Sequence, residues 1–372
     1  MKKSSENKIY TAIGLMSGTA MDGIDAALIE TDGVDYIKPI AFETEIHDAS
    51  FRTELKRCLN RTDRHANDIR AVEREFTARQ IKIIDKLLLN NNMLRNDVDV
   101  IGFHGQTTHH DPSKALTIQL GDGDWLSKQL GVPVIYDLRA ADMAAGGQGA
   151  PFIPVYHAAL VRNAKLSLPV VVANIGGVAN ITWIGEGDDL IGFDTGPGNA
   201  MIDDWVKSRT GKSYDDGGQM ASKGKVNDGI LKRFLSSSYL LNKYPKSLDR
   251  NDFNDINVDE LSEGDGAATL TAMTVESIAL GVRQCPEMPS SIYVTGGGRH
   301  NRTIMAGLEK LLGLPVCSVD ELQWDGDAME AQGFAYMAVR TLCGLPISFP
   351  NTTGCNAPTI GGVLAMPQGR AA

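Results

Sequence analysis

The chain has 372 residues, of which 42% are hydrophobic and 22% charged, and its formal net charge at pH 7 is −10. This length predicts two domains around a large core, and the acidic balance argues against a nucleic-acid surface. No apolar run approaches the roughly 18 residues that a membrane-spanning helix needs. Glycines and Asp22 interrupt the first apolar segment, so a signal peptide is not predicted either.

The cysteines predict neither a disulfide framework nor a zinc site, because they are scattered, odd in number and contain no CxxC pair. They are Cys58, Cys285, Cys317, Cys343 and Cys355. We therefore expect a reducing, cytoplasmic environment.

Residues 14–30 predict a β-hairpin with a glycine-rich tip. The tip carries two hydroxyl groups, a carboxylate and two glycines: Ser17, Gly18, Thr19, Asp22 and Gly23. Glycines permit positive φ and allow backbone N–H groups to approach an anion, which is phosphate-binding chemistry with a carboxylate available for magnesium. An ordinary tight turn fits the same pattern. The GxxxxGK[ST] motif of a Walker A loop is absent from the sequence.

A third strand over 36–46 and a long amphipathic helix over 67–89 follow. A short buried strand over 98–103 then ends at the sequence HGQTTHH. Side chains just past the carboxyl end of such a strand line the ligand crevice in open α/β sheets, which makes His104, Gln106 and Thr107 candidate ligand contacts. The spacing of His104, His109 and His110 matches no zinc pattern.

The pattern continues with strands over 116–120 and 132–136 and a helix over 124–130. Residues 137–157 are rich in glycine and proline and contain Asp137, Arg139, Asp142 and Gln148. This composition is typical of a mobile or ligand-wrapping segment between domains, and a plain linker is the alternative.

The opening pattern then returns. Strands over 170–175 and 178–184 flank Gly176 and Gly177, and a strand over 190–193 runs into the sequence DTGPGN. The same unit of strand, glycine turn and strand thus occurs twice, and its two copies are separated by most of a small domain. Such a repeat indicates an internal duplication and two similar α/β lobes. We expect one lobe's hairpin to hold a phosphate from one side and the other lobe's hairpin to hold it from the other.

The last third predicts three further features. A helix over 264–282 is expected to be capped by Asp265, and a strand over 292–295 breaks into the triple glycine Gly296–Gly298, which suits a flat ligand such as adenine. A helix over 326–342 has Asp327 near its N-cap and Glu330 in its first turn, and capping alone would explain both carboxylates. The tail, 351–372, is expected to be an extended surface segment.

Taken together, these motifs resemble the anhydro-N-acetylmuramic acid kinase family. The motifs GTAMDGID, GFHGQT, DLRAAD, GGQGAP, NIGGVANIT, GFDTGPGN, VTGGGRHN and DAMEA occur in the family's order from about Ile13 to the C-terminal GGV. One departure is Leu138, where the family pattern has an aromatic residue. The resemblance implies the superfamily of sugar kinases, actin and the heat-shock chaperone ATPases.

The fold implied is α/β, with two actin-like, ribonuclease H-like lobes and a nucleotide and substrate cleft between them. The implied N-terminal lobe comprises 1–140 plus 345–372, and the C-terminal lobe comprises 141–344. The C-terminal lobe would carry the second hairpin, the catalytic aspartate and the adenosine turn.

The implied reaction uses ATP and Mg²⁺ to phosphorylate 1,6-anhydro-N-acetylmuramic acid at O6 while water opens the anhydro bridge, giving N-acetylmuramic acid 6-phosphate for murein recycling. By resemblance, Asp194 is the general base and Glu330 orients the same water. Asp22 or Asp25 would lie near Mg²⁺ through water. The implied nucleotide contacts are Gly18, Thr19, Ala20, Met21, Asp22, Gly23, Ile24, Asp25, Gly176, Gly177, Asn180, Gly296, Gly297 and Gly298. The implied sugar contacts are His104, Gln106, Thr107, Arg139, Gly196 and Asn199, with Arg139 near the lactyl carboxylate.

Three alternatives remain at this point. A sugar kinase of the same superfamily that acts on a free hydroxyl shares the fold, but would not need a second carboxylate for water. A nucleotide-gated filament protein would need large self-complementary apolar faces. A sugar-responsive transcription regulator would need a DNA-binding segment, for which the net charge is unfavourable. A homodimer without nucleic-acid or membrane partners is the expected assembly.

Overall fold

The computed structural model describes residues 8–248, 253 and 256–367, and the described part is a mixed α/β structure. The strands are β1 (Tyr10–Ser17), β2 (Gly23–Thr31), β3 (Ile37–Ile46), β4 (Val100–Asp111), β5 (Leu116–Leu120), β6 (Val134–Tyr136), β7 (Val170–Ile175), β8 (Val178–Ile184), β9 (Leu190–Pro197), β10 (Ile292–Thr295), β11 (Val316–Ser318) and β12 (Val363–Ala365).

Groups of helices lie between groups of strands along the chain, in a mixed α/β order. They are α1 (Ala49–Arg57), α2 (Asn67–Asn90), α3 (Gly123–Leu130), α4 (Ala140–Ala144), α5 (Pro154–Asn163), α6 (Ala200–Thr210), α7 (Asp228–Leu235), α8 (Ser238–Leu241), α9 (Glu263–Gln284), α10 (Arg302–Leu312), α11 (Met329–Leu342) and α12 (Pro350–Thr353). None of the described helices is long and apolar enough to cross a membrane.

The chain divides into two compact units, each built on one sheet. The first unit comprises Met1–Asn163 and Ala328–Ala372, and the second comprises Ala164–Asp327. The first sheet has seven strands, six of them in the order β12-β6-β4-β1-β2-β3, with β5 paired to β4; the second has five in the order β11-β10-β7-β8-β9. Each sheet therefore contains an antiparallel three-strand meander, and a parallel strand lies beside the meander's first strand.

This shared strand order confirms the α/β fold class and the internal duplication predicted from the two glycine turns. Strands β1 to β3 correspond to β7 to β9, β4 corresponds to β10, and β6 corresponds to β11. Each unit also has its own apolar core, the first centred on residues such as Ile24, Phe76 and Phe103, and the second on residues such as Ile181, Phe193 and Met273.

The predicted lobe boundaries differ from the boundaries of these units. Residues 141–163 and 328–344 were assigned to the C-terminal lobe and belong to the first unit. The cause is the packing of α11 on the first sheet, where the Tyr156 hydroxyl of α5 donates to Oε1 of Gln332 on α11 at 2.8 Å. Residues 1–7 and 368–372 of the predicted lobe lie outside the described residues.

Four local predictions are wrong, and three of them fail because of strand pairing between distant parts of the chain. Strand β4 runs to Asp111 because β5 pairs with its second half, so residues 104–107 lie within a strand rather than past its end. Strand β9 likewise continues to Pro197 because it pairs with β8 as far as Val178. Helix α9 is capped by Ser262, whose side chain accepts from the N–H of Asp265. The C-terminal segment is not purely extended surface, since β12 joins the first sheet.

Two glycines allow α11 to lie directly on the first sheet. A Cβ at Gly14 of β1 would collide with the Ala331 carbonyl, and a Cβ at Gly102 of β4 would collide with the Phe334 carbonyl. Both obstacles are backbone atoms of α11, so no side chain can move aside to relieve them. This contact fixes the helix whose first turn carries Glu330.

We expect Gly14→Ala to lower the free energy of unfolding by about 2 kcal/mol or more, because overpacking a rigid core typically costs about 1–3 kcal/mol. Urea unfolding monitored by circular dichroism measures this change. The matched control is Gly229→Ala in α7, where the residue is exposed and a Cβ lies 3.4 Å from the Asn227 side chain. Equal stabilities of the two variants would contradict this account of the helix contact.

Candidate functional site

The first hairpin is tied to β4 by one buried amide. Gln106 is fully buried, and its Oε1 accepts from Ser17 Oγ at 2.7 Å while its Nε2 donates to the Gly18 carbonyl at 3.0 Å. These bonds fix the first residue of the hairpin tip. The side chain predicted to contact sugar is thus engaged in building the turn.

The tip of this hairpin is open to solvent. Its positive φ lies at Met21 (53°), and neither Gly18 nor Gly23 uses the positive φ that glycine permits. A Cβ at Gly18 would meet no heavy atom within 4 Å, whereas one at Gly23 would lie 2.6 Å from the Glu45 carbonyl. Gly18 therefore has open space beside its backbone, and Gly23 is required for packing against β3.

The side chains of the tip divide into core and exposed groups. Met21 and Ile24 are buried in the core of the first unit, so only their backbone atoms are placed for a ligand. Thr19, Ala20 and Asp22 are exposed.

The hairpin's two carboxylates form a small oxygen-rich donor set. Asp22 is exposed at the tip, and Asp25 on β2 is partly buried and accepts from Thr44 Oγ1 at 2.7 Å. Among the described residues, no three His, Cys, Asp or Glu side chains converge to enclose a metal ion. One or two carboxylates beside a phosphate site suit Mg²⁺, which keeps several of its waters. These residues fit that ion.

The first unit brings three predicted site residues together around a buried guanidinium. Arg139 donates from Nη2 to His104 Nε2 at 2.7 Å and from Nη1 to the Gly149 carbonyl. The His104 ring lies 4.6 Å from the ring of Phe334 on α11. Glu330, in the first turn of the same helix, is close enough for its charge to act on Arg139.

Electrostatics fix the protonation states of this cluster. Burial and the positive charge of Arg139 hold the pKa of His104 well below its ordinary value, so the ring is neutral and Nε2 accepts. Burial lowers the pKa of Arg139 to about 10, opposed by the charges of Glu330 and Asp142, so the guanidinium stays charged at pH 7. The result is a cation with a carboxylate beside it.

The glycine-rich segment over 137–157 is folded against the first unit rather than forming a plain linker. Asp142 is buried, and its carboxylate accepts from the Gly149 N–H at 2.7 Å and from Thr353 Oγ1 at 2.5 Å. His110 Nε2 lies 2.9 Å from the Gln148 carbonyl. Thr107, also predicted as a sugar contact, is 3.4 Å from Gln119 Nε2 through its hydroxyl oxygen.

In the second unit, Asn199 organises the second glycine turn. Its backbone N–H donates to the Gly176 carbonyl at 2.7 Å, and its Nδ2 donates to the Ile175 carbonyl at 2.9 Å. The N–H of Gly198 donates to the Gly177 carbonyl at 3.0 Å. Asn199 therefore acts within the protein as the brace of this turn.

The triple glycine meets the same turn. Gly296 has φ 74°, and a Cβ there would lie 2.5 Å from Asn174 Oδ1, so glycine is required by both conformation and space. Gly298 packs against Ile175, and the open position is Gly297, whose ideal Cβ lies 3.4 Å from Asn199 Nδ2. The second hairpin and the triple glycine, predicted separately, are neighbours.

A cavity of about 480 Å³ lies beside Gly297. Its walls come from the start of α6, the triple glycine and an irregular loop, and its lining residues are Asn199, Ile202, Asp203, Tyr214, Asp215, Asp216, Gly217, Gly297, His300 and Asn301. The loop residues were missed in the sequence, where 213–225 is only polar and irregular. The available signal was an exposed aromatic, Tyr214, followed directly by two carboxylates and two glycines.

Asp194 lies within β9 in a row of polar side chains across the second sheet. Thr295 pairs with Asn174, Asn174 with Asn180, and Asn180 with Asp194. Burial raises the pKa of Asp194 to about 7, and a hydrogen bond from the Leu248 N–H opposes that rise. A carboxylate that titrates near neutral pH is suited to accept a proton in catalysis.

Two other predicted residues have structural partners. A Cβ at Gly196 would collide with Ser277 of α9, so this glycine is required by packing. Asp327 accepts from Arg299 Nη1 at 3.0 Å, and the N-cap position of α11 is Ala328.

Known proteins similar to this chain identify its family. A family model described as anhydro-N-acetylmuramic acid kinase matches residues 10–367. The protein of that name from Rhizorhabdus wittichii is 48% identical over 362 residues, covering 96% of this chain and 99% of the relative. The chain belongs to the anhydro-N-acetylmuramic acid kinase family.

Another member of this family, from Rhizobium etli, is 46% identical over 368 residues, covering 96% of this chain and 99% of its own. Among solved structures, a ligand-bound xylulose kinase from Lactobacillus acidophilus covers 96% of this chain and 94% of that chain, with 10% identity and a TM-score of 0.46. The fold assignment depends on the strand order described above.

We expect Asp194→Asn to change how stability depends on pH. Because the folded pKa of about 7 exceeds the unfolded value of about 3.9, the aspartic acid stabilises the fold at low pH and loses that contribution as pH rises through 7. Between pH 5 and pH 8, wild type should lose up to about 2.5 kcal/mol relative to Asp194→Asn.

Urea unfolding at both pH values measures this difference. Asp22→Asn, a substitution at an exposed position of the first hairpin, is the control and should follow the wild-type pH profile. A pH-independent difference between wild type and Asp194→Asn would contradict the proposed burial of this carboxylate.

Proposed function

We propose that this protein is an ATP-dependent kinase that phosphorylates 1,6-anhydro-N-acetylmuramic acid at O6 and hydrolyses its 1,6-anhydro bond in the same reaction. The products are N-acetylmuramic acid 6-phosphate and ADP. The observation that carries this proposal is the family match over residues 10–367. The reaction belongs to murein recycling and amino-sugar catabolism.

The bond changes require a base for water and support for the transferred phosphoryl group. Water oxygen bonds to C1, and the bond from C1 to O6 breaks. O6 then takes the γ-phosphoryl group, whose bond to the bridging oxygen of ADP breaks. Asp194 accepts the proton that water loses, and its pKa of about 7 suits this role because it is largely ionised just above neutral pH.

Glu330 orients the attacking water in this proposal. Its place in the first turn of α11 is fixed by the contact of that helix with Gly14 and Gly102. Arg139 lies close enough for the two charges to interact, and an ionised carboxylate accepts a hydrogen bond from water rather than donating one.

The nucleotide contacts divide between the two glycine turns. Gly18 presents open backbone, with exposed Thr19 and Asp22 beside it, which supports a role in binding the β- and γ-phosphates. By resemblance to the family, Gly176, Gly177 and Asn180 of the second hairpin are assigned to the nucleotide as well.

Adenosine is assigned to the cavity beside Gly297. Its 480 Å³ volume suits a nucleoside, and Gly297 offers flat backbone to the ring. Gly296 and Gly298 contribute by fixing the shape of this turn against Asn174 and Ile175.

Asp22 and Asp25 would hold Mg²⁺ through water, and the ion would neutralise charge on the transferring phosphoryl group. Their exposed and partly buried positions on one hairpin support this assignment.

The residues assigned to the sugar fall into two groups, those that would contact it directly and those that would act through the backbone. His104, Thr107 and Arg139 would contact the sugar, with the Arg139 cation near the lactyl carboxylate. Gln106, Gly196 and Asn199 would act chiefly through the backbone that they brace or pack against.

The proposal also places the protein in the cytoplasm, as a homodimer. All five cysteines are free thiols, which agrees with a reducing compartment.

The direct test is ADP release with Mg²⁺, ATP and either 1,6-anhydro-N-acetylmuramic acid or N-acetylmuramic acid. We expect turnover with the anhydro sugar alone, because Asp194 and Glu330 are assigned to activating water. Asp194→Asn should lower kcat by about 10³-fold, within the range of about 10²- to 10⁴-fold that a general base contributes, while its nucleotide affinity stays within about twofold of wild type.

Equal turnover with both sugars would replace this proposal with a simple sugar kinase. Retention of kcat within a few-fold in Asp194→Asn would reject the assigned base while leaving the substrate question to the comparison of the two sugars.

A further inference from the structure

Strand β9 is the last strand of the second sheet, so among the residues that the structure describes one of its edges has no neighbouring strand. Such an edge exposes N–H and C=O groups that need other partners. At Asp194 these partners come from residues 239–248, which we name the edge segment.

The edge segment binds Asp194 at three separate atoms. The Asp194 N–H donates to the Lys246 carbonyl at 3.0 Å, and the Tyr239 hydroxyl donates to the Asp194 carbonyl at 2.7 Å. The Leu248 N–H donates to Asp194 Oδ2 at 2.8 Å. Both the backbone and the carboxylate of Asp194 are therefore oriented by this one segment.

A buried ammonium group, that of Lys246, links several backbone carbonyls of the edge segment by hydrogen bonds. Lys246 is 8% exposed, and its Nζ donates to the carbonyls of Asn242, Tyr239 and Leu240 at 2.8, 3.1 and 3.4 Å. Three N–H donors meet three carbonyl acceptors, so the cation is satisfied without a carboxylate.

Aromatic rings complete the environment of this ammonium group. Lys246 Nζ lies 4.9 Å from the ring centroid of Tyr239 and 5.5 Å from that of Phe193, the residue before Asp194. The Phe193 ring stacks on Tyr244 of the edge segment at 5.2 Å. The side chain of Lys246 thus joins the start of the segment, its end and the strand that carries Asp194.

Removing an ammonium group from water is costly unless every donor is paired. The cost is visible in the pKa of Lys246, which burial lowers to about 8. An apolar residue could fill the same volume, but it could not bind the three carbonyls together.

We propose that Lys246 is a positioning residue for Asp194, locking the edge segment so that Oδ2 is held by the Leu248 N–H and Oδ1 is the oxygen that accepts the proton from water. This inference rests on the proposed function for its catalytic consequence. Lys246 acts through the segment and touches neither substrate nor reacting atoms.

The first test compares Lys246→Met with Lys243→Met. Lys243 is an exposed lysine of the same segment and is the matched control. We expect kcat for ADP release with the anhydro sugar to fall at least about tenfold in Lys246→Met, with KM for ATP within twofold of wild type, and no change beyond twofold in Lys243→Met.

The second readout is the titration of Asp194 itself, followed by ¹³C NMR of protein labelled at aspartate carboxyl carbons and assigned with Asp194→Asn. Asp194 is contacted by the Lys246 carbonyl, the Tyr239 hydroxyl and the Leu248 N–H of the edge segment, and it pairs with Asn180 of β8. A loosened segment admits water, and burial is the main cause of the raised pKa, so we expect the midpoint in Lys246→Met to fall from about 7 by at least one unit.

A loss of stability alone would lower the melting temperature without moving this midpoint. Tyr239→Phe provides a second variant that keeps Lys246 and the aromatic ring while deleting the hydroxyl bond to Asp194. We expect its kcat to fall at least about threefold, and it decides the matter if Lys246→Met does not fold.

Wild-type kcat and an unshifted Asp194 midpoint in Lys246→Met, or in Tyr239→Phe if only that variant folds, would overturn the inference. A shifted midpoint in a protein that does not use the anhydro sugar would instead reject the proposed function and retain the positioning role of Lys246.

Discussion

The carboxylate of Asp194 is held on β9 where burial outweighs the hydrogen bond from the Leu248 N–H, and its pKa therefore lies near 7 rather than near 4. This pKa requires that the edge of β9 be shielded from bulk solvent while the carboxylate can still be reached by a water molecule. The edge segment provides the cover, Lys246 holds the segment closed, and Asn180 of β8 lies beside the carboxylate. A more exposed aspartate would be a weak base, and a fully enclosed one could not reach water.

The two units use the same strand order and give their glycine turns different surroundings. In the first unit, the buried amide of Gln106 fixes one end of the turn, and the tip with Asp22 stays exposed. In the second unit, Asn199 braces the turn and connects it to the triple glycine and its cavity. The two hairpins therefore share one strand order, and they differ in the polar side chain that braces each turn, Gln106 in the first and Asn199 in the second.

Much of the fold could be predicted from the sequence, because strands such as β5, β7 and β8 follow from local apolar patterns and glycine turns. Apart from the cap of α9, the errors in the predicted elements arose where pairing between distant strands decides the structure. His104 lies within a strand because β5 extends the pairing of β4. The role of Lys246 could not be predicted, since a lysine in a polar stretch is normally exposed and its burial depends on Phe193 and Tyr239. The positive φ at Met21 could not be predicted either, since glycine is the residue that adopts such a φ most readily and two glycines lie in the same turn.

The central claim is that water opens the anhydro bridge in the same reaction that phosphorylates O6. Mass analysis of the sugar phosphate formed in ¹⁸O-labelled water tests this claim most directly. The account predicts one heavy oxygen in the sugar of each product molecule and none in its phosphoryl group, because water attacks C1 and ATP supplies the phosphoryl. A phosphorylated sugar that contains no label, or label only in phosphate, would contradict coupled hydrolysis and the roles given to Asp194 and Glu330.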